Sequence, residues 1–147
     1  MKKTFLSLAL MLSGISAFAY DTETLLNNYI NLKNALVNSD SKAASEAAAT
    51  LYQSVKNEGE FTQKAELLQA TEKLSKAGSI EKQRSLLNDV SVAMWKLVDN
   101  EEKVNQTIYY QYCPMKKSYW LSKEKEIKNP YYGASMLTCG KVTATKP

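Results

Sequence analysis

For its first hundred positions this chain places apolar residues at helical spacing, and after that at strand spacing. Leu25, Tyr29, Leu32 and Leu36 recur four, three and four apart, and Leu26, Ile30 and Val37 widen the stripe. That period predicts a helix over 21–38, capped by Asp21 or Thr22. Asn38-Ser39-Asp40-Ser41 interrupts it with side chains that bond to nearby backbone and open a new cap. A second helix is expected over 42–56, with Ala43, Ala44, Ala47, Ala48, Leu51, Tyr52 and Val55 on its apolar face. Its alanines combine high helix propensity with room for a close neighbour. Asn57-Glu58-Gly59 ends it. A third is expected over 61–77, with Ala65, Leu68 and Leu74 inward and Gly78 as its stop. Ser79 caps a fourth that runs to Asn100 along Ile80, Leu86, Leu87, Val90, Met94, Leu97 and Val98. Four amphipathic segments with short connections predict an antiparallel, up-and-down bundle.

Beyond Glu102 the period changes to two. Over 105–112, Ile108, Tyr110 and Tyr112 alternate with Thr107, Tyr109 and Gln111, the pattern of a strand. Residues 119–121 and 140–143 are further extended candidates, and 144–147 reads as a frayed tail. The expected fold class is mainly α: a four-helix bundle (20–103) with a small irregular C-terminal lobe containing short strands (104–147), together one domain.

Composition narrows the chemistry. The chain has 147 residues and no histidine. It therefore lacks the usual general base, proton shuttle and commonest metal ligand. Neither a serine triad nor a histidine-activated cysteine can be built. Glu124 and Glu126 sit in the lysine-rich run SKEKEIK, which reads as solvated, so an enzyme is not expected. Lys2 and Lys3, the apolar run 5–15 and Ala17-Phe18-Ala19 have the form of a signal peptide over 1–19. Its removal lowers the net charge from +4 to +2. A periplasmic or secreted location follows from that reading. No later run is long enough for stable membrane insertion, and no basic stripe with interleaved aromatics suggests nucleic acid.

The remaining candidate chemistry lies in 109–140. Cys113, with Met115 two residues on, opens the stretch; Met136 and Cys139 close it. Two readings stand side by side. In one, Cys113 and Cys139 form a disulfide, which an oxidising compartment permits and which would stabilise a lobe with little core of its own. In the other, Cys113, Met115, Met136 and Cys139 form a soft-metal site, since thiolates and thioethers select Cu(I) over harder ions. Residues two apart on a strand face one side, and residues three apart share a helical face, so both pairs can converge. Zinc fits less well, because its structural sites prefer three or four cysteine or histidine ligands. Tyr112, Trp120, Tyr131 and Tyr132 are expected to pack the lobe or to present a docking surface.

The ordered series YYQYCPM (109–115), Tyr119-Trp120-Leu121-Ser122, IKNPYYGASML (127–137) and TCGKV (138–142) resembles an uncharacterised family of exported bacterial domains. Members of that family occur fused to, or beside, periplasmic adaptors of copper and silver efflux pumps. The chain departs from it at Lys116-Lys117-Ser118, where relatives often carry a small apolar residue and glycine. The resemblance implies a periplasmic domain tied to heavy-metal handling, with Cu(I) as the candidate ion. The implied partner is an efflux adaptor or another periplasmic protein. The alternative is a non-catalytic, disulfide-stapled interaction module.

Overall fold

The computed structural model describes residues 19–102 and 104–147. The segment read as a signal peptide lies outside the described residues, apart from Ala19. Four helices follow one another: α1 (Thr22–Val37), α2 (Ser41–Asn57), α3 (Lys64–Ser75) and α4 (Ile80–Asn100). Side-chain caps start three of them. Asp21 accepts from the amides of Glu23 (3.0 Å) and Thr24 (3.2 Å), Asp40 from Ala43 (2.9 Å) and Ser79 from Lys82 (3.3 Å). Each cap satisfies a donor that the first helical turn leaves unpaired. The third helix has no side-chain cap and is shorter than its apolar pattern predicts. Phe61 lies before it and packs on Tyr20, with ring centroids 4.9 Å apart. Its buried face is Leu67, Ala70, Thr71 and Leu74, not the expected Ala65-Leu68-Leu74 line: Ala65 is exposed and Leu68 half-buried. Thr71 is legible only as polar in sequence, yet its hydroxyl bonds back to the Leu67 carbonyl (2.8 Å) and can face inward.

The bundle core is Leu25, Leu32, Leu36, Leu51, Val55, Leu67, Leu74, Leu87, Val90, Met94 and Leu97, all essentially inaccessible to water. Ala44 and Ala48 bring α2 close to its neighbours.

The C-terminal part is more regular than its sequence suggests. Strands β1 (Ile108–Cys113), β2 (Ser118–Ser122) and β3 (Lys141–Lys146) form one antiparallel sheet in the order β2-β1-β3. The residues expected to fray are instead a sheet edge: Ala144 pairs with Tyr110, Thr145 with Tyr109 and Lys146 with Ile108. Contact with β1 supplies hydrogen-bond partners that the short segment could not find alone. The β1–β3 register shifts between Tyr110 and Gln111.

While β3 leaves Lys141, Thr143 and Thr145 exposed, both faces of β1 are packed. On one, Tyr110 stacks on Trp95 of α4 (4.6 Å between centroids, 5° between planes) and on Tyr119 (4.6 Å, 11°). On the other, the Gln111 amide donates to the carbonyls of Glu124 (3.1 Å) and Lys125 (3.2 Å), which fastens the segment after β2 over the strands.

The outer edge of β2 rests on the bundle, and side chains complete its ladder. Asn88 of α4 accepts from the Tyr119 amide (2.9 Å), Tyr29 of α1 accepts from the Leu121 amide (3.0 Å), and the Tyr131 hydroxyl donates to the Tyr119 carbonyl. Unpaired strand edges invite foreign pairing. Here the edge is closed from within.

Tyr29 is the centre of this junction. It is fully buried, and burial holds its hydroxyl protonated far above the ordinary tyrosine range. The donor inventory fixes the directions. Ser91 spends its hydrogen on the Leu87 carbonyl (2.9 Å), so Tyr29 donates to Ser91 (2.7 Å) and accepts from Leu121. Replacing Tyr29 by Phe leaves a buried amide and a serine oxygen unpaired. We expect a loss of about 1–3 kcal/mol in chemical denaturation, against a change within about 0.5 kcal/mol for Tyr52→Phe at a half-buried site.

A second buried polar group carries no such compensation. Lys33 of α1 is 4 % exposed and makes no hydrogen bond among the described residues. Burial lowers its pKa, opposed by the charge of Glu124 and assisted by that of Lys128. Its folded pKa lies below the unfolded value of 10.5. The charged form is therefore penalised at neutral pH, and the penalty fades as pH rises through the folded pKa toward the unfolded one. Lys33→Met is expected to stabilise the protein by about 1 kcal/mol near pH 7, a gain that shrinks in denaturation curves taken at increasingly alkaline pH.

Candidate functional site

The two cysteines meet at one end of the sheet. Cys113 is the last residue of β1, paired with Ser118 across the hairpin, and is fully buried. Cys139 follows a short 3-10 turn, Gly133–Met136, and is half-buried. Their sulfurs are 3.9 Å apart and both thiols are free. The disulfide reading is thus not shown: the sulfurs are not at the bonding distance of about 2.05 Å. Burial and then the neighbouring Cys113 thiol raise the pKa of Cys139.

The thioethers are placed differently. Met115 sits in the hairpin turn and is 62 % exposed; Met136 ends the 3-10 turn and is 36 % exposed. The Cys139 amide donates to the Met136 carbonyl (3.1 Å), so these two residues close one turn. The structure thus brings the thiols together and leaves the methionines at the surface of the same end. Among the described residues no group of three or more Cys, Asp or Glu side chains converges as a metal site. The carboxylates weighed for acid–base work, Glu124 and Glu126, are exposed and face Lys128 (2.8 and 3.5 Å).

What holds Cys139 opposite Cys113 is the segment 129–133. Asn129 is fully buried, and each of its four polar atoms is hydrogen-bonded. Its side-chain nitrogen donates to the Cys139 carbonyl (2.6 Å), its side-chain oxygen accepts from the Tyr131 amide (2.8 Å), and its own amide donates to the Leu137 carbonyl (2.7 Å). Its carbonyl accepts from the Gly133 amide (2.9 Å). The loop is anchored to the bundle by Arg84 of α4, which donates to the carbonyls of Pro130 (2.8 Å) and Leu36 (2.8 Å) and to the Ser39 hydroxyl (2.9 Å). Gly133 adopts φ +58, and a Cβ there would meet Arg84, Ser39 and Val37 atoms at 2.8 Å, so no larger residue fits. Gly140 lies under Trp120, whose ring would stand 2.7 Å from an added Cβ.

The lobe aromatics do pack. Trp120 is fully buried and meets Tyr131 edge to face (6.1 Å), Tyr112 tilts against Tyr119 (4.7 Å), and Tyr132 lies beneath the Lys116 ammonium (5.0 Å). The Gln111 side-chain oxygen and the Trp120 indole nitrogen are buried without partners among the described residues. The two residues face each other across β1 and β2.

Sequence reasoning missed Asn129, Arg84, Gln111 and Asn88. Asn129 gave the only signal, as the residue before Pro130, where a turn is expected. Arg84 and Asn88 carry no local signal and Gln111 only its place in the strand alternation, because their partners are 13 or more residues away.

A family model described as a protein of unknown function, DUF3347, matches residues 25–106, which spans the bundle and stops just before β1. No curated protein matches the chain, and no solved structure does. The match falls on the helices, whereas the resemblance rested on 109–140. Its description carries nothing about export or about copper and silver efflux.

Removing the Asn129 side chain should release the Cys139 end. For Asn129→Ala we expect a loss of about 1–3 kcal/mol, from leaving the Cys139 carbonyl and Tyr131 amide unpaired. Faster hydrogen exchange at Tyr131 and Gly133, with α2 and α3 unaffected, is the accompanying readout.

Proposed function

This chain belongs to the DUF3347 family of proteins of unknown function, and we propose that it is an exported accessory domain that binds a soft metal ion, Cu(I), between Cys113 and Cys139. The observation that carries the reading is the thiol pair: two free sulfurs 3.9 Å apart, a spacing suited to two thiolates on one ion. Cys113 is sealed inside and Cys139 is half-open, so an ion arrives and leaves on the Cys139 side. Met115 and Met136 offer thioethers at the exposed end, and weaker ligands of that kind suit transfer better than storage. The role is to buffer the ion or hand it to a periplasmic partner of an efflux system. The signal-like residues 1–19 and the lack of histidine are consistent with that role.

The reduced protein is expected to compete with a Cu(I) chelator for one ion. Cys113→Ser/Cys139→Ser should lose this, and Met115→Leu/Met136→Leu should weaken it by roughly tenfold if the thioethers ligate. Unchanged affinity in the methionine variant restricts the site to the thiols. A cysteine variant that competes as well as the wild type overturns the reading. Thiol counting on native protein prepared without reductant tests the stapled module instead: loss of both free thiols under those conditions favours it.

A further inference from the structure

Charge is divided between the two parts of the chain. Residues 20–103 carry ten basic and thirteen acidic side chains, a net of −3, whereas 104–147 carry seven lysines and two glutamates, a net of +5. Three of those lysines are occupied. Lys128 faces both glutamates, Lys123 donates to Asn27, and Lys146 donates to carbonyls at the end of α4. Of the other four, Lys125 lies out on the covering segment and three gather at the thiol end of the sheet. Lys116 and Lys117 form the exposed hairpin tip, and Lys141 opens β3 opposite Tyr112, one position from Cys113.

These three form no ion pair among the described residues. Lys116 rests on the Tyr132 ring, and Lys117 is held at φ +50, which fixes the turn that presents both. Below the tip lies a cleft of about 340 Å³ lined by Arg84, Ser85, Lys116, Ser118 and Tyr131, with Glu81 as the acid on its wall. Arg84 adds a further fixed positive charge there, although its nitrogens are engaged by carbonyls and Ser39.

We propose that this end of the sheet is a docking face for an acidic segment of another protein. Positive charge steers and orients a negative partner more than it adds affinity, which suits a brief encounter. A lipid surface is the poorer fit, because only three of these cations are free, Arg84 being engaged by carbonyls and Ser39, whereas recognition of anionic membranes takes clusters of about four to eight. The proposal stands on charge and exposure and does not depend on metal ligation.

The test uses metal-free protein and a fluorescein-labelled peptide of ten glutamates. Binding is expected at about 10 mM ionic strength and should weaken at least tenfold by about 150 mM, as the screening length shortens. Lys116→Glu/Lys117→Glu/Lys141→Glu should abolish it, and the milder glutamine triple should reduce it several-fold. The triple Lys42→Glu/Lys56→Glu/Lys73→Glu on the bundle should change it less than twofold. An equal loss in the bundle triple, absence of binding, or tighter binding to phosphatidylglycerol vesicles than to the peptide overturns the proposal. Copper competition measured on the same lobe triple keeps this outcome separate from the fate of the metal site.

Discussion

A single buried hydroxyl, that of Tyr29, joins the two halves of this protein. Its ring belongs to the bundle core, its hydrogen goes to Ser91 of α4, and its lone pair receives the backbone amide of Leu121 in β2. Three elements distant in sequence are thereby fixed at one point that water does not reach. In such a setting each unpaired group would cost about 1–3 kcal/mol, so the sheet cannot slide along the bundle without losing several bonds together. Asn88 and Tyr131 repeat the device on the same edge. The bundle thus supplies, through Tyr29 and Asn88, acceptors that a neighbouring strand would otherwise give β2.

From that junction the placement of the thiols follows. The hairpin sets Cys113 at the end of a strand whose far side is clamped by Gln111. Asn129 and Arg84 lock the returning loop to the end of α1 and to α4, and Cys139 sits at the loop's close. Asn129 and Gly133, between the cysteines, thus act as scaffold that brings the two sulfurs close. The surface around it is cationic and carries two exposed methionines, so the same small region holds the only cysteines of the chain and the least neutralised charge.

The helices were legible because their signal is local. A 3.6-residue period and a capping aspartate or serine act within one or two turns, and α1, α2 and α4 appear close to where Leu25-Tyr29-Leu32-Leu36, the alanine face and Ser79 place them. The third helix was read less well, because Thr71 faces inward by bonding its own backbone while Ala65 faces water. The identity of the lobe's aromatic packers and the closeness of the two cysteines were also foreshadowed in the residue types. The sequence also allowed four sulfurs to converge, whereas the structure leaves Met115 and Met136 exposed: spacing says which side chains can share a face, and it does not say whether that face is turned to the interior.

What the sequence by itself determined is a mainly α chain with four amphipathic helices and a switch to strand period beyond Glu102, in a chain without histidine. Only the tertiary structure decided that the tail is a strand, that both faces of β1 are packed, that Gln111 and Asn129 are interior, and that Asn88 closes the edge of β2. Those outcomes depend on partners ten to ninety residues away, because a strand or a buried amide is stable only when its hydrogen bonds are completed by something else. A helix completes its own.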